Sequence, residues 1–296
     1  MMQTIPQRRI ALPTGVELDV VVAGDPANPP IILLHGFPES HRTWRHQIPF
    51  LSQHHFVLAP DQRGYARSAK PDGVENYTPA VLVADVLALA DHFGIDRFTL
   101  VGHDWGGAAA WMAAINHSQR IDRLIILNAP HPFIFQKTLF DDPDQRAASQ
   151  YITAFRNPGL EAHIAEIGVE AYFDKTFVGH ADRAKFAIEK PVYLDQWSQP
   201  GALTGMYNWY RASSIVVPAM DAEPPRPAFL ARPFPPMQMP VLMIWGLHDT
   251  ALKPSQLDGI DALVPDLTLV KVDAGHFVTW EAPEAVNAAM AAWLAG

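Results

Sequence analysis

The stretch that most constrains this chain is Leu100-Val101-Gly102-His103-Asp104-Trp105-Gly106-Gly107. An apolar run with strand character, Phe98 to Val101, meets a Gly-x-Asp-x-Gly core, and Ala108 to Ala114 then form a strongly helix-favouring segment. The order is strand, sharp turn, helix. Such an elbow brings two backbones close together, which only near-absent side chains permit, and Gly102, Gly106 and Gly107 surround the central position. The residue at the tip, thrust toward a pocket or solvent, is Asp104.

An ordinary aspartate titrates at about 3.9, so at neutral pH it is ionised and, unlike a serine hydroxyl, needs no base to act as a nucleophile. Its natural target is an sp3 carbon bearing a leaving group, because attack there yields an ester that water can later cleave. Aspartate before a helix is also a common capping residue, so the elbow alone leaves a structural role for Asp104 open.

The surrounding pattern alternates strands and helices. Arg9 to Leu12 and Val16 to Ala23 read as a hairpin, while Ile31 to Leu34 and Phe56 to Ala59 are continuous apolar runs, as strands buried on both faces require. A helix is predicted from about Thr43 to Ser52 and another from Pro79 to Phe93, with Thr78 as its cap and Gly94 as its stop. The elbow follows, then a strand from Leu124 to Leu127. After Pro240 the pattern resumes with Val241 to Trp245, a helix after Pro254, a strand from Leu267 to Val272 and a last helix from about Pro283 to Leu294. This alternation predicts a mostly parallel sheet with helices on both faces, and function gathers at the carboxyl ends of such strands.

Between Pro130 and Pro240 no buried strand is legible. The stretch holds amphipathic helical segments rich in aromatics and ends in Pro-dense sequence, Val217-Pro218 through Pro235-Pro236, which suits an ordered connecting loop. The expected division is a core of residues 1–130 and 237–296 with a helical insertion of 131–236 lying over the strand ends.

Composition excludes several functions. A net charge of -9 without clustered Lys and Arg argues against nucleic acid as a partner. With 0 cysteines there is no disulfide, thiolate metal site or Cys nucleophile. Met1 to Arg9 lacks the apolar run of a signal peptide, and no stretch approaches membrane-spanning length, so a cytoplasmic protein without membrane association is expected.

Two further residues complete a hydrolytic set. Asp249 follows the strand Val241 to Trp245, and His276 follows the strand Leu267 to Val272 in Asp273-Ala274-Gly275-His276-Phe277. The chain order nucleophile, acid, base is one known hydrolase order, with His276 as general base and Asp249 holding its tautomer. His35-Gly36-Phe37-Pro38 follows another strand end, so the backbone N–H groups of Phe37 and Trp105 are the candidate oxyanion donors. The state of the Phe37-Pro38 peptide bond is not readable from sequence. Asp61-Gln62-Arg63-Gly64 reads as a structural turn with an internal ion pair.

Together, His35-Gly36-Phe37-Pro38, Asp61-x-Arg63-Gly64-Tyr65, Gly102-His103-Asp104-Trp105-Gly106-Gly107 and the placement of Asp249 and His276 resemble the epoxide hydrolase branch of the α/β-hydrolase family over essentially the whole chain. The resemblance implies an α/β-hydrolase fold with an inserted helical cap. The elbow is shared with haloalkane dehalogenases; the insertion separates the two. In the epoxide hydrolase branch two cap tyrosines hydrogen-bond the epoxide oxygen, and the matching segments, Tyr151-x-x-x-Phe155-x-x-Pro158-Gly159 and Asn208-Trp209-Tyr210-Arg211, carry that role to Tyr151 and Tyr210. A phenol helps an alkoxide leave, whereas a halide leaves without protonation.

Relatives that cleave fluoroacetate place Arg beside the nucleophile; Trp105 and Ala108 stand there instead, which disfavours a charged substrate. The substrate implied is a small apolar epoxide, with water as co-substrate, no cofactor and no metal. His35, Pro38, Phe133 and Phe135 are the candidate substrate-binding residues. A haloalkane dehalogenase and a non-catalytic ligand-binding protein on this scaffold are the alternatives. The substrate's identity, the carbon attacked and the oligomeric state are not legible.

Overall fold

The computed structural model describes residues 6–177 and 183–296; residues 1–5 of the N-terminal stretch read above lie outside them. Eight strands form one sheet: β1 (Gln7–Ala11), β2 (Glu17–Ala23), β3 (Pro30–Leu34), β4 (Phe56–Pro60), β5 (Phe98–His103), β6 (Ile121–Leu127), β7 (Val241–Gly246) and β8 (Leu267–Val272). Their spatial order is β1-β2-β4-β3-β5-β6-β7-β8, and the β1–β2 and β2–β4 pairs are antiparallel, all others parallel. β5 lies inside the sheet, so the elbow that follows it emerges from the middle of the strand ends.

Alternation explains the two apolar layers. Phe98 and Leu100 of β5, with Ile32 and Leu34 of β3, face helices Pro79–His92 and Asp104–Asn116. Val101, Ile31 and Leu33 face the opposite layer, where Trp44, Ile48, Val286 and Met290 pack. Successive strand side chains point to opposite faces, so a parallel strand covered on both sides has to be apolar throughout. Each such side chain contributes about 1.5–3 kcal/mol when removed from water.

Several local expectations shift. The helix expected from Thr43 to Ser52 is broken into a 3-10 turn, His41–Trp44, and a helix, Gln47–Leu51. After Pro254 there is a 3-10 turn, Pro254–Leu257, before the short helix Ile260–Leu263. Thr78 precedes its helix with no side-chain cap bond. The internal ion pair expected in Asp61-Gln62-Arg63-Gly64 does not form. Arg63 instead forks onto Asp85 of the Pro79–His92 helix at 2.7 and 2.8 Å, while Asp61 accepts from Gln7 Nε2 and His41 at 2.8 Å. The turn sends its two charges to different neighbours.

Between β6 and β7 lie helices Pro132–Asp141, Pro143–Ala148, Gln150–Phe155, Leu160–Ile167, Val169–Phe177, Arg183–Trp197 and Ala202–Ala212. They dock on the strand ends through buried polar anchors: Trp197 Nε1 donates to the Pro38 carbonyl and Trp209 Nε1 to that of Arg63, both at 2.9 Å. Arg42 pairs with Glu189 at 2.7 and 2.8 Å, buried on both sides. Among the described residues no helix is long and apolar enough to cross a membrane.

Candidate active site

Asp104 is the first residue of its helix and holds a φ of +51°, a conformation few non-glycine residues adopt. The strain is over-determined by packing: a Cβ on Gly106 would strike the Leu34 carbonyl, and one on Gly36 would strike Asp104 itself. The glycines read from sequence are therefore what lets β3, its following loop and the elbow touch.

The close approach gives Asp104 two differentiated oxygens. Oδ1 accepts the Phe37 backbone N–H at 2.7 Å, whereas Oδ2 stands 3.4 Å from His276 Nε2. His276 Nδ1 lies 2.6 Å from Asp249 Oδ2. An Nδ1–H donating to that carboxylate leaves Nε2 as the atom facing Asp104. Burial alone would lower the His276 pKa, but Asp249 and Asp104 together hold it well above the usual range. For Asp249, burial is outweighed by His276 and by donors from Leu252 and Asn128, so its pKa is lowered.

Several supporting residues escaped the sequence reading. Asn128, at the end of β6 with φ +39°, donates from Nδ2 to Asp249 Oδ2 and accepts the Gly246 N–H, each at 2.8 Å. Its place just past a strand end was the available signal. Glu281 receives the Gly275 N–H at 2.5 Å and the Phe277 N–H at 3.3 Å, and so frames the loop holding His276. His103 Nε2 lies 2.8 Å from the His276 carbonyl, and burial followed by the neighbouring His276 charge pushes its pKa down to about 4. His103 is thus a neutral donor.

Above Asp104 opens a cavity of about 160 Å³, lined also by Trp105, Phe135, Tyr151, Ile152 and Tyr210. Both phenols have pKa values raised above the ordinary tyrosine range. For Tyr151 the causes are burial and then the Asp104 charge; for Tyr210, burial, then Tyr151 and Asp104. Their rings meet edge to face with centroids 6.1 Å apart, and the Trp105 ring abuts Tyr210 at 4.9 Å. The lining carries no Lys or Arg among the described residues, and Gln136 in its wall spends both amide ends on the Val216 backbone.

Of the four candidate substrate-binding residues, the structure brings only Phe135 to this cavity. His35 is fully buried beneath it: its Nε2 accepts the Gln62 N–H at 3.0 Å and its Nδ1 lies 3.0 Å from the Gly36 carbonyl. Pro38 offers its carbonyl to Trp197 and follows a cis peptide bond. Phe133 points to Phe229 and Phe234, because consecutive helical positions face different ways and Pro132 takes the wall.

The sheet order and this elbow define a class. The chain belongs to the alpha/beta hydrolase fold family, whose model matches residues 29–283. More particularly, it is 31% identical over 284 residues to epoxide hydrolase 3 of Xenopus tropicalis, covering 93% of this chain and 73% of that protein. It is 36% identical over 278 residues to AB hydrolase superfamily protein YfhM of Bacillus subtilis, covering 92% of each. Among solved structures it matches a novel epoxide hydrolase of the same superfamily from metagenomes of hot environments, with a TM-score of 0.93, 49% identity and coverage of 99% and 100%. The Bacillus megaterium epoxide hydrolase in complex with an inhibitor matches at a TM-score of 0.82 and 29% identity, over 98% of this chain and 100% of that one.

Proposed function

We propose that this chain hydrolyses small apolar epoxides to vicinal diols, with residues 131–236 as a cap closing the site over a core of 1–130 and 237–296. The observation that carries the reading is that Asp104, Tyr151 and Tyr210 line one apolar cavity whose acidic member faces His276, itself paired with Asp249. An alkoxide leaving group has a conjugate acid about as weak as water, so ring opening at neutral pH needs a positioned proton donor. Two protonated phenols supply it. A halide would have no use for them.

In the first step Asp104 Oδ2 bonds to an epoxide carbon, the carbon–oxygen bond of the ring breaks, and the oxygen takes a proton from Tyr151 or Tyr210. The product is a hydroxyalkyl ester on Asp104. That step also removes the carboxylate charge that raises both phenols and His276. The negative charge now sits on the phenol that gave its proton rather than beside His276, so the His276 pKa falls and its Nε2, after losing its proton to solvent, can act as a base. In the second step His276 takes a proton from water and hydroxide adds to the ester carbonyl. Oδ1 becomes the oxyanion, held by the Phe37 N–H and, in this reading, by that of Trp105. Cleavage of the acyl–oxygen bond releases the diol; one proton of the water ends on its new hydroxyl and the other returns to the phenol.

His276→Ala isolates the two steps. Mixed with styrene oxide and then denatured, this variant should carry one covalent adduct on the peptide containing Asp104, readable by mass spectrometry. Wild-type single turnover in heavy-oxygen water should leave label in the same peptide. An adduct-free variant together with an unlabelled peptide would overturn the mechanism.

A further inference from the structure

Outside the cavity, a guanidinium ties together the two helices that carry the phenols. Arg156 follows the Gln150–Phe155 helix of Tyr151, and its side chain reaches the end of the Ala202–Ala212 helix of Tyr210. Nε donates to the Tyr210 carbonyl at 2.9 Å. Nη2 donates to Ser213 Oγ at 2.8 Å, to the Ser213 carbonyl at 3.2 Å and to the Ile215 carbonyl at 2.8 Å. One acceptor is thus the backbone of Tyr210 itself.

The setting is unusual for a surface arginine. Arg156 is half-buried, burial lowers its pKa, and among the described residues no carboxylate pairs with it. Nearby Arg211, by contrast, is neutralised by a two-point contact with Glu161 at 2.7 Å for each bond. Carbonyls at a helix C-terminus do favour a cation, but a partly desolvated charge held by neutral acceptors alone is a costly way to gain stability. What Arg supplies there is shape: a planar fork spans several acceptors at once, which the single nitrogen of Lys on a flexible stem does not. Phe155, the residue before Arg156, packs its ring 5.1 Å from Tyr210 and 5.4 Å from Tyr151, so any slippage at Arg156 is transmitted to both phenols.

We infer that Arg156 is a positioning residue for ring opening, locking the Tyr151 helix to the C-terminal end of the Tyr210 helix so that both phenols converge on one oxygen. The inference rests on the role given to the tyrosines above. It separates the two chemical steps, because ester hydrolysis depends on His276 and Asp249, which neither Arg156 nor Phe155 touches, and on the Phe37 backbone N–H; Phe155 meets only the Phe37 ring, at 5.2 Å.

The test is single-turnover kinetics with styrene oxide, reading ester formation and ester decay in wild type, Arg156→Lys, Tyr210→Phe and the double variant. Arg156→Lys should slow ester formation 10- to 100-fold and change decay by less than threefold; in the Tyr210→Phe background its effect should shrink at least threefold. Equal slowing of both steps, in proportion to a loss of Tm, would make Arg156 merely structural and overturn the inference. Wild-type ester formation in Arg156→Lys beside a slow Tyr210→Phe would also overturn it while leaving the tyrosines in place. A silent Tyr210→Phe would overturn both. Should Arg156→Lys not fold, Ser213→Ala removes one acceptor and should slow ester formation two- to fivefold with decay unchanged; no such slowing counts against Arg156.

Discussion

His131 makes one distinct contribution to the acid sensitivity of this fold. Its Nδ1 accepts the Phe133 N–H at 3.2 Å and so caps the Pro132–Asp141 helix. The ring is fully buried between Trp111 and Phe234, with centroids 5.0 Å from each, and burial pulls its pKa from 6.5 down to about 4. The unfolded chain takes up a proton as pH falls through about 6.5, whereas the native state does so only near 4. The unfolded state thus binds more protons throughout that window, and stability is lost as pH falls. Linkage converts the difference into about 2 kcal/mol at pH 5 and about 3 kcal/mol at pH 4. His131→Asn keeps a side-chain acceptor at the cap and cannot titrate. Its packing loss is the same at every pH, so the wild-type-minus-variant stability isolates the proton. Urea denaturation at pH 7, 6 and 5 should show that difference narrowing by about 2 kcal/mol. A difference constant to within about 0.5 kcal/mol would mean that native His131 is not held neutral, and would refute the reasoning.

Other perturbations probe the site and its frame. Asn128→Ala frees Asp249 from one of its donors, so we expect ester decay to slow by about 10- to 100-fold while ester formation changes little; stopped-flow measurement of the two phases checks this. Arg63→Ala strands the buried Asp85 carboxylate and should destabilise the protein by about 3–5 kcal/mol in thermal or urea unfolding. Because the ester lacks the Asp104 charge that raises His276, ester decay should rise with pH along a limb lying below the His276 titration of the free enzyme. Single-turnover pH profiles set against NMR of the imidazole would reveal it, and coincident midpoints would contradict it.

How much was legible in the sequence differs between elements for physical reasons. β3, β5, β6 and β7 could be read because strands covered on both faces have to be apolar at every position, and the elbow because close backbones admit only glycine. The break after Trp44, the Arg63–Asp85 pair and the partners of Asp61 could not, since each depends on which distant side chain a turn happens to face. The chain by itself determined the alternation of strands and helices, the tip residue at position 104 and its followers at 249 and 276, all local patterns of burial and turn chemistry. Only the tertiary structure decided that Asn128 holds Asp249, that Phe135 lines the cavity while His35 and Phe133 do not, and that Arg156 reaches Tyr210. Such contacts join residues far apart in sequence through directional bonds of about 3 Å, and no periodicity along a chain records a direction in space.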